Sequence, residues 1–249
     1  MALAIATNNG ALQAAAAASS VNRSMETSME RLSTGMRINS ASDDAAGVAI
    51  SSRLSAEIRG TNQSIRNALD GQSLIDTAEG AHKEVENLLQ RMRELAIQAA
   101  NGTNDADDIT NLEAEFTALS TEITRIGEVT SFAGKALTGT DATAFSFQVG
   151  SGTATANQIS VTINSIKSAS IGTDSGTQLS AVVTAGLDDL TETNAAIVVI
   201  DDAIKEVNTQ RSELGAVSNR LNHTVNNLTN ISSNLSSAQG RIQDADFAL

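Results

Sequence analysis

The most regular feature of the sequence is a set of apolar positions three and four residues apart, a spacing typical of coiled-coil helices. One stripe ends before Asn101-Gly102, a second follows a restart signal at Asn104-Asp105, and a third repeats every seven residues. The stripes contain Ala78, Ala81, Val85, Leu88, Met92, Leu95 and Ala99; then Ile109, Leu112, Phe116, Leu119, Ile123 and Ile126; and finally Ile200, Val207, Leu214, Leu221, Leu228, Leu235, Ile242 and Leu249. We therefore predict a mainly α fold, a long antiparallel coiled-coil helical rod closed by the last helix.

The middle of the chain changes from a helical to an alternating pattern. Apolar and polar residues alternate over residues 145–149 and again over residues 159–163, with a loop rich in Gly, Thr and Asn between them. Alternation with a period of two predicts strands, so we expect a small β-hairpin at the distal end of the rod. The segment Lys167–Gln178 is rich in Ser, Thr and Gly, which predicts an exposed loop.

The run Glu30–Ser51 predicts a sharp turn between two helices. Gly35 is a good helix terminator, and a short, mainly polar turn at residues 37–40 follows it. Ser42 is the expected N-cap of the next helix, which would place Asp43 and Asp44 in its first turn. Carboxylates are favourable there because the N-terminal end of a helix carries partial positive charge.

Composition supports long helices and narrows the function. None of the 249 residues is Pro, Cys, Trp or Tyr. No proline can therefore interrupt a helix, and no disulfide scaffold can form. The net charge of -13 disfavours binding to nucleic acid, since phosphates repel acidic surfaces. No apolar run is long enough to cross a membrane. The N-terminus lacks the basic region of a signal peptide, so we expect no cleaved signal.

Catalytic chemistry is not indicated. The two histidines, His82 and His223, are far apart in sequence, and no metalloprotease, phosphate-binding or nucleophile motif is present. Adjacent aspartates such as Asp43-Asp44 point about 100° apart on a helix and so do not share a face. We expect no catalytic residue, no cofactor and no metal site, and hence not an enzyme.

Four stretches of the sequence resemble one family. The run Glu30–Ser51, ERLSTGMRINSASDDAAGVAIS, is similar to the N-terminal signature of bacterial flagellin. Leu88–Thr103, Ser131–Gly139 and Arg220–Phe247 resemble further flagellin signatures. The resemblance implies a structural subunit that polymerises with itself into the extracellular flagellar filament for swimming motility. It also implies export by the flagellar type III pathway without a cleaved signal peptide.

The resemblance further implies a division of the chain into four parts. Residues 1–43 would form the N-terminal inner-core helix and connecting spoke, and residues 44–130 the N-terminal rod helices. Residues 131–186 would be a small solvent-facing β/loop region, and residues 187–249 the C-terminal rod helix. The joint between core helix and rod would be formed by the signature residues Arg31, Leu32, Gly35, Arg37, Ile38, Asn39, Asp43 and Asp44.

Partners and an alternative function also follow from the resemblance. Flagellins meet the flagellar cap and junction proteins and are ligands of innate immune receptors. The positions matching the site for the vertebrate flagellin-sensing Toll-like receptor are Gln90, Arg91, Leu95 and Glu115. Strong recognition by the plant receptor is not expected, since Ser42 stands where plant-eliciting flagellins carry Lys. The alternative is the related hook–filament junction protein, whose members typically carry prolines near this signature, whereas this chain has none.

The end of the sequence departs from the family. Flagellins continue for several helical turns, whereas this sequence stops at Leu249, in phase with the apolar stripe and without a capping residue. We expect a truncated chain that lacks the C-terminal core helix. The apolar N-terminal residues Leu3, Ile5, Leu12 and Ala14–Ala18 would then lose their partner. Filament formation would be impaired, and binding of the export chaperone would be lost.

Overall fold

The computed structural model describes residues 8–139 and 143–246, which are mainly helical with a small β element, as predicted. The elements are α1 (Asn9–Thr34), α2 (Ala45–Ala99), α3 (Ala106–Val129), β1 (Ser131–Phe132), β2 (Lys135–Ala136), β3 (Thr143–Gln148), β4 (Gln158–Ile163), α4 (Leu179–Ala185) and α5 (Leu190–Gln243). Helices α2 and α5 reach 55 and 54 residues. Such lengths are possible because no proline removes a hydrogen bond from either helix.

The chain divides into two compact units. Unit 1 comprises Met1–Asn62 with Thr229–Leu249, and unit 2 comprises Gln63–Leu228. Each unit contains a part of α2 and a part of α5. In unit 2, Arg93 pairs with Asp201 and Glu86 pairs with Arg211, so the two helices run antiparallel there. The four-part division inferred from the sequence stays a prediction.

The first core cluster of unit 2 confirms the predicted stripes. It joins the second half of α2 to α3, α4 and the first half of α5. From the stripes it contains the buried side chains of Val85, Met92, Leu95, Ala99, Phe116, Ile123, Ile200 and Val207. Each buried aliphatic side chain contributes roughly 1.5–3 kcal/mol, so this cluster is a large source of stability in unit 2.

A second core cluster places the predicted β-hairpin against α2 and α5. Strands β3 and β4 are antiparallel, with Phe145 opposite Val161 and Phe147 opposite Ile159. The inward-facing side chains of β4 are buried, and the Phe147 ring packs over Gly71 of α2. The absence of a side chain at Gly71 lets the ring approach the helix backbone.

The segment Lys167–Gln178 is only in part the exposed loop that we predicted. Residues 173, 174 and 176–178 are exposed, whereas most of residues 167–172 are buried or half-buried. Ser168 and Ile171 are buried, and Ile171 belongs to the first core cluster. The Ser168 hydroxyl shares a 2.8 Å hydrogen bond with the Thr124 hydroxyl of α3. Small side chains let this segment lie close to the helices, so the same composition that suggested a solvated loop permits packing. Helix α4, which we did not predict, follows it directly.

The seven-residue stripe of α5 is buried over part of its length. Leu214, Leu221 and Leu228 are buried, whereas Leu235 and Ile242 are half-buried. Leu249 lies outside the described residues. The stripe therefore predicted the inward face of α5 correctly in unit 2, but it overestimated burial in unit 1.

Substitution of two glycines in α2 tests the packing of the hairpin. A Cβ atom at Gly80 would meet nothing within 4 Å, so Gly80→Ala should raise the free energy of unfolding by about 0.5–1 kcal/mol. A Cβ atom at Gly71 would lie 3.1 Å from the Phe147 ring. Gly71→Ala should therefore lower the free energy of unfolding by about 1 kcal/mol. Urea unfolding followed by circular dichroism measures both. Equal stabilisation by the two substitutions would contradict the packing of Phe147 on α2.

Candidate functional site

The joint in unit 1 begins where α1 ends. Gly35 has φ 73°, a left-handed conformation that glycine adopts without steric cost, and its N–H donates to the Arg31 carbonyl at 2.9 Å. The sequence prediction of a helix end at Gly35 is confirmed. Arg31 and Leu32 lie in the last turn of α1, where both side chains are exposed.

Backbone hydrogen bonds tie the joint to the end of α5. The N–H of Arg37 donates to the Gln243 carbonyl at 2.7 Å, and the N–H of Ala245 donates to the Gly35 carbonyl at 2.9 Å. The Arg37 guanidinium adds a bond to the Ile242 carbonyl at 2.7 Å. Each terminal carbonyl of α5 would otherwise lack a partner, so this contact satisfies the helix end as well as the joint.

Ile38 anchors the joint on α2. Its side chain is 4% exposed, although its neighbours in the turn are exposed. A Cβ atom at Gly47 would lie 2.5 Å from the Ile38 Cδ1 atom, so only glycine leaves room for this contact. The Ser51 hydroxyl of α2 donates to the Gln243 side chain at 2.9 Å, which adds a second link between α2 and the end of α5.

The prediction that Ser42 caps α2 is wrong. The helix begins at Ala45, and the Asp44 carboxylate accepts the Gly47 N–H at 2.9 Å, so Asp44 is the N-cap. The Ser42 hydroxyl instead pairs with the Ser40 hydroxyl at 2.6 Å. Several adjacent residues could cap equally well by type, and the fold of the preceding turn selects Asp44.

Asp43 closes the turn rather than occupying the first turn of the helix. One of its carboxylate oxygens accepts the N–H groups of Ser40 at 2.8 Å and Asn39 at 3.1 Å, and the Ser40 hydroxyl as well. These hydrogen bonds, the Ser40 N–H first, lower the pKa of Asp43 below its ordinary value. The Asn39 side chain in turn donates to Glu30 of α1. The joint is thus held by a small network centred on one carboxylate.

The four receptor-matching positions do not form one exposed patch. Arg91 lies on the surface of α2, where its Nε and Nη2 atoms contact Glu115 of α3 at 2.9 and 2.8 Å. Its Nη1 atom contacts Glu94 at 3.1 Å, and Gln90 beside it is exposed. Leu95 is 1% exposed and lies in the first core cluster. Its position in the apolar stripe buries Leu95, and a role of this residue in receptor contact stays a prediction.

Two further acidic residues have a structural role at the start of a helix. Asp105 and Asp108 form a reciprocal capping box at the start of α3, as the restart signal predicted. Within residues 8–139 and 143–246, no group of three His, Cys, Asp or Glu side chains could hold a metal ion.

The sequence reasoning missed Gln243, whose carbonyl and side chain both contact the joint. No sequence signal marks such a residue, because its main contact is made by the backbone.

Long helices packed along apolar stripes, with a capped and hydrogen-bonded joint between two of them, define a helical structural protein. The family described as the bacterial flagellin N-terminal helical region matches residues 5–143, and that of the C-terminal helical region matches residues 197–249. The chain belongs to the bacterial flagellin family. It is a structural subunit that polymerises into the flagellar filament for motility, and the family is one of structural proteins rather than enzymes.

Similar proteins of known sequence or structure agree with this assignment. The chain is 44% identical to a flagellin of Halalkalibacterium halodurans, over 88% of this chain and 78% of the relative. It is 30% identical in sequence to Bacillus cereus flagellin. The crystal structure of that flagellin matches with a TM-score of 0.51, over 70% of this chain and 94% of that one. A flagellar hook-associated protein from Vibrio parahaemolyticus has a TM-score of 0.70, over 81% of this chain and 100% of that one. At 16% identity this last likeness shows a shared fold alone, so the hook-associated alternative is less supported.

Substitution at the joint tests which residue caps α2. Asp44→Ala removes the acceptor of the Gly47 N–H and should lower the free energy of unfolding by about 1 kcal/mol. Ser42→Ala is the matched control and should cost about 0.5 kcal/mol or less, because Ser42 makes no bond to the helix start. Thermal unfolding gives the stabilities, and hydrogen exchange at the Gly47 amide reports the cap directly. A larger loss of stability in Ser42→Ala than in Asp44→Ala would show that Ser42 is the N-cap of α2.

Proposed function

We propose that exposed apolar side chains of α1 form a contact through which subunits associate in the filament. The observation that supports this is that none of the 26 residues of α1 is buried. Val21, Met25, Met29 and Leu32 are nevertheless large and apolar, and each is more than half exposed. We call these four residues the α1 stripe.

The spacing of the α1 stripe fits a helix-to-helix contact. Its members are four, four and three residues apart, which places them along one side of a helix. Monomeric proteins rarely expose continuous apolar surfaces of this kind, because each side chain loses roughly 1.5–3 kcal/mol when it is left in water. Burial between subunits would recover this free energy. Contacts between different surfaces of successive subunits build an open helical assembly rather than a closed ring.

The joint would give the α1 stripe a defined direction. Within unit 1, the turn after α1 is bonded to α2 through Ile38 and Asp44, and to the end of α5 through Arg37. A helix that assembles with neighbours must leave its own subunit at a reproducible angle. We therefore assign the filament-joint role to Gly35, Arg37, Ile38, Asn39, Asp43 and Asp44, with Arg31 and Leu32 at the exposed end of α1.

A charge within the α1 stripe tests its role in assembly. Met25, 59% exposed, lies in the stripe, and Met25→Glu should reduce incorporation onto filament seeds at least tenfold, about 1.4 kcal/mol per contact. Ser20→Glu on the other side of α1 carries the same charge change and should reduce it much less. Sedimentation of seeded polymer and negative-stain microscopy measure incorporation. Equal incorporation of Met25→Glu and the unsubstituted chain, under conditions in which the unsubstituted chain incorporates measurably, would contradict the proposal.

We also propose that Gln90, Arg91 and Glu115 contribute an exposed contact for the vertebrate flagellin-sensing Toll-like receptor. All three are exposed, and the Arg91–Glu115 pair links α2 to α3, so it presents its charges on a rigid surface. Leu95 would support this surface from the core without contacting the receptor. Surface ion pairs contribute little to folding, which leaves Arg91 open to substitution.

Receptor activation by charge-reversed variants tests this patch. Arg91→Asp should raise the concentration needed for half-maximal activation of receptor-bearing reporter cells about tenfold, since charge-assisted hydrogen bonds to a partner are lost. Arg125→Asp is the matched control, because Arg125 also forms an exposed ion pair, with Glu122 of α3. Unchanged activation by Arg91→Asp would show that Arg91 is not part of the receptor contact.

Family membership supports two finer proposals, one about the export of the subunit and one about its assembly. We propose that it leaves the cell through the flagellar type III pathway and meets the flagellar cap and junction proteins during assembly. Among the described helices none is both long and apolar enough to cross a membrane.

A further inference from the structure

One histidine of the chain is enclosed in the core of unit 2. His82 of α2 is 0% exposed, and its Nδ1 atom lies 2.7 Å from the Ala78 carbonyl. A carbonyl oxygen can only accept a hydrogen bond, so Nδ1 carries the proton and donates it. The neutral imidazole then has its lone pair on Nε2. Among the described residues, Nε2 has no hydrogen-bond partner.

The ring lies beside a cleft of about 480 Å³ between α2, α5 and the segment after β4. Asn164 and Ser165 line it from that segment, and Gln210 from α5. Gln210 is itself occupied, because its side chain donates to the Thr162 carbonyl at 3.1 Å and accepts the Asn164 N–H at 3.3 Å. The polar groups nearest to the cleft are therefore mostly committed to holding the segment in place.

Most of the charged groups around His82 already have partners, and among the described residues none hydrogen-bonds to its Nε2 atom. Glu86 and Glu79 on α2 both contact the Arg211 guanidinium of α5. The buried Nε of Arg211 also has no partner among the described residues, so the site already contains one imperfectly paired cation. The charged groups that line the cleft are Glu213, Glu206 and Lys205 of α5 and Asp174, which pairs with Lys205 at 2.7 Å. Glu206 accepts the N–H groups of Gly172 and Thr173.

We propose that His82 is an acid-sensitive element of this flagellin. Protonation places a second N–H and a positive charge in the core near Arg211, at an Nε2 atom that has no hydrogen-bond partner among the described residues. The neutral ring fits the site because it needs only the Ala78 carbonyl. The charged ring is stabilised by moving toward water, which loosens the packing of α2 against α5 and the 164–174 segment. A filament built from such subunits is more stable at neutral pH than in mild acid.

The direction of the pH dependence follows from the site. Burial, first of all, and the charge of Arg211 lower the pKa of His82, while the Ala78 carbonyl and Glu79 oppose this. An unfolded histidine titrates near its ordinary value of about 6.5. As the pH falls through that value, the unfolded chain gains a proton that the folded chain resists, so stability declines. The contribution is fully present above about pH 6.5 and is lost as the pH falls toward the lowered folded-state value.

Thermal unfolding of two histidine variants tests the proposal. The unsubstituted chain should have a Tm about 2–4 °C lower at about pH 5 than at about pH 7.5. His82→Asn keeps a donor near the Ala78 carbonyl and cannot titrate in this range, so most of this shift should disappear. His223→Asn is the matched control, because His223 is exposed and is the other histidine of the sequence; the shift should remain.

Two direct measurements on the unsubstituted chain cover the case in which His82→Asn does not fold. The nuclear magnetic resonance signal of the His82 ring should titrate below the ordinary range, and amide exchange in residues 78–86 and 164–174 should accelerate in mild acid more than elsewhere in unit 2. A shift in Tm that persists in His82→Asn, or a ring that titrates at the ordinary value with no change in exchange, would overturn the proposal.

Discussion

The packing of α2 along α5 is the interaction on which the rest of unit 2 depends. The apolar stripes of both helices contribute to both core clusters, and the other elements of the unit pack onto them. Helices α3 and α4 pack on one part of this pair, and the β3–β4 hairpin packs on another. With few aromatic side chains available, the core gains its stability from many aliphatic contacts spread along the helices rather than from one thick centre.

Unit 1 follows a different physical logic. Its joint is specified by hydrogen bonds and one buried isoleucine, whereas α1 buries no side chain. In a protein that works alone this would be an unfavourable arrangement, because exposed apolar side chains promote association. In the subunit contact that we propose, neighbouring copies would supply this burial. The same chain therefore combines a self-sufficient core in unit 2 with a helix in unit 1 that leaves its apolar surface available to other copies.

The elements that were predictable from sequence are those with local causes. Apolar periodicity determined the long helices, Gly35 and Asp105 marked helix boundaries, and alternation marked the hairpin. Predictions failed where local causes were ambiguous. Ser42 and Asp44 are both good caps, and only the turn closed by Asp43 decides between them. The composition of residues 167–178 fits either a solvated loop or a closely packed one. Contacts with the helices pack the first half of this segment, while residues 173, 174 and 176–178 are exposed.

The candidate sites divide in the same way. The sequence by itself determined the family, the inward faces of the helices and the residue types at the joint, because these depend on side-chain identity and spacing. Only the tertiary structure decided that the joint pairs with residues 242–245, that Leu95 is buried while Arg91 is exposed, and that His82 Nε2 lacks a partner among the described residues. Backbone hydrogen bonds carry no side-chain signature, and an apolar stripe specifies which face is buried but not what it meets. Those outcomes depend on segments far apart in the chain, and folding alone brings them together.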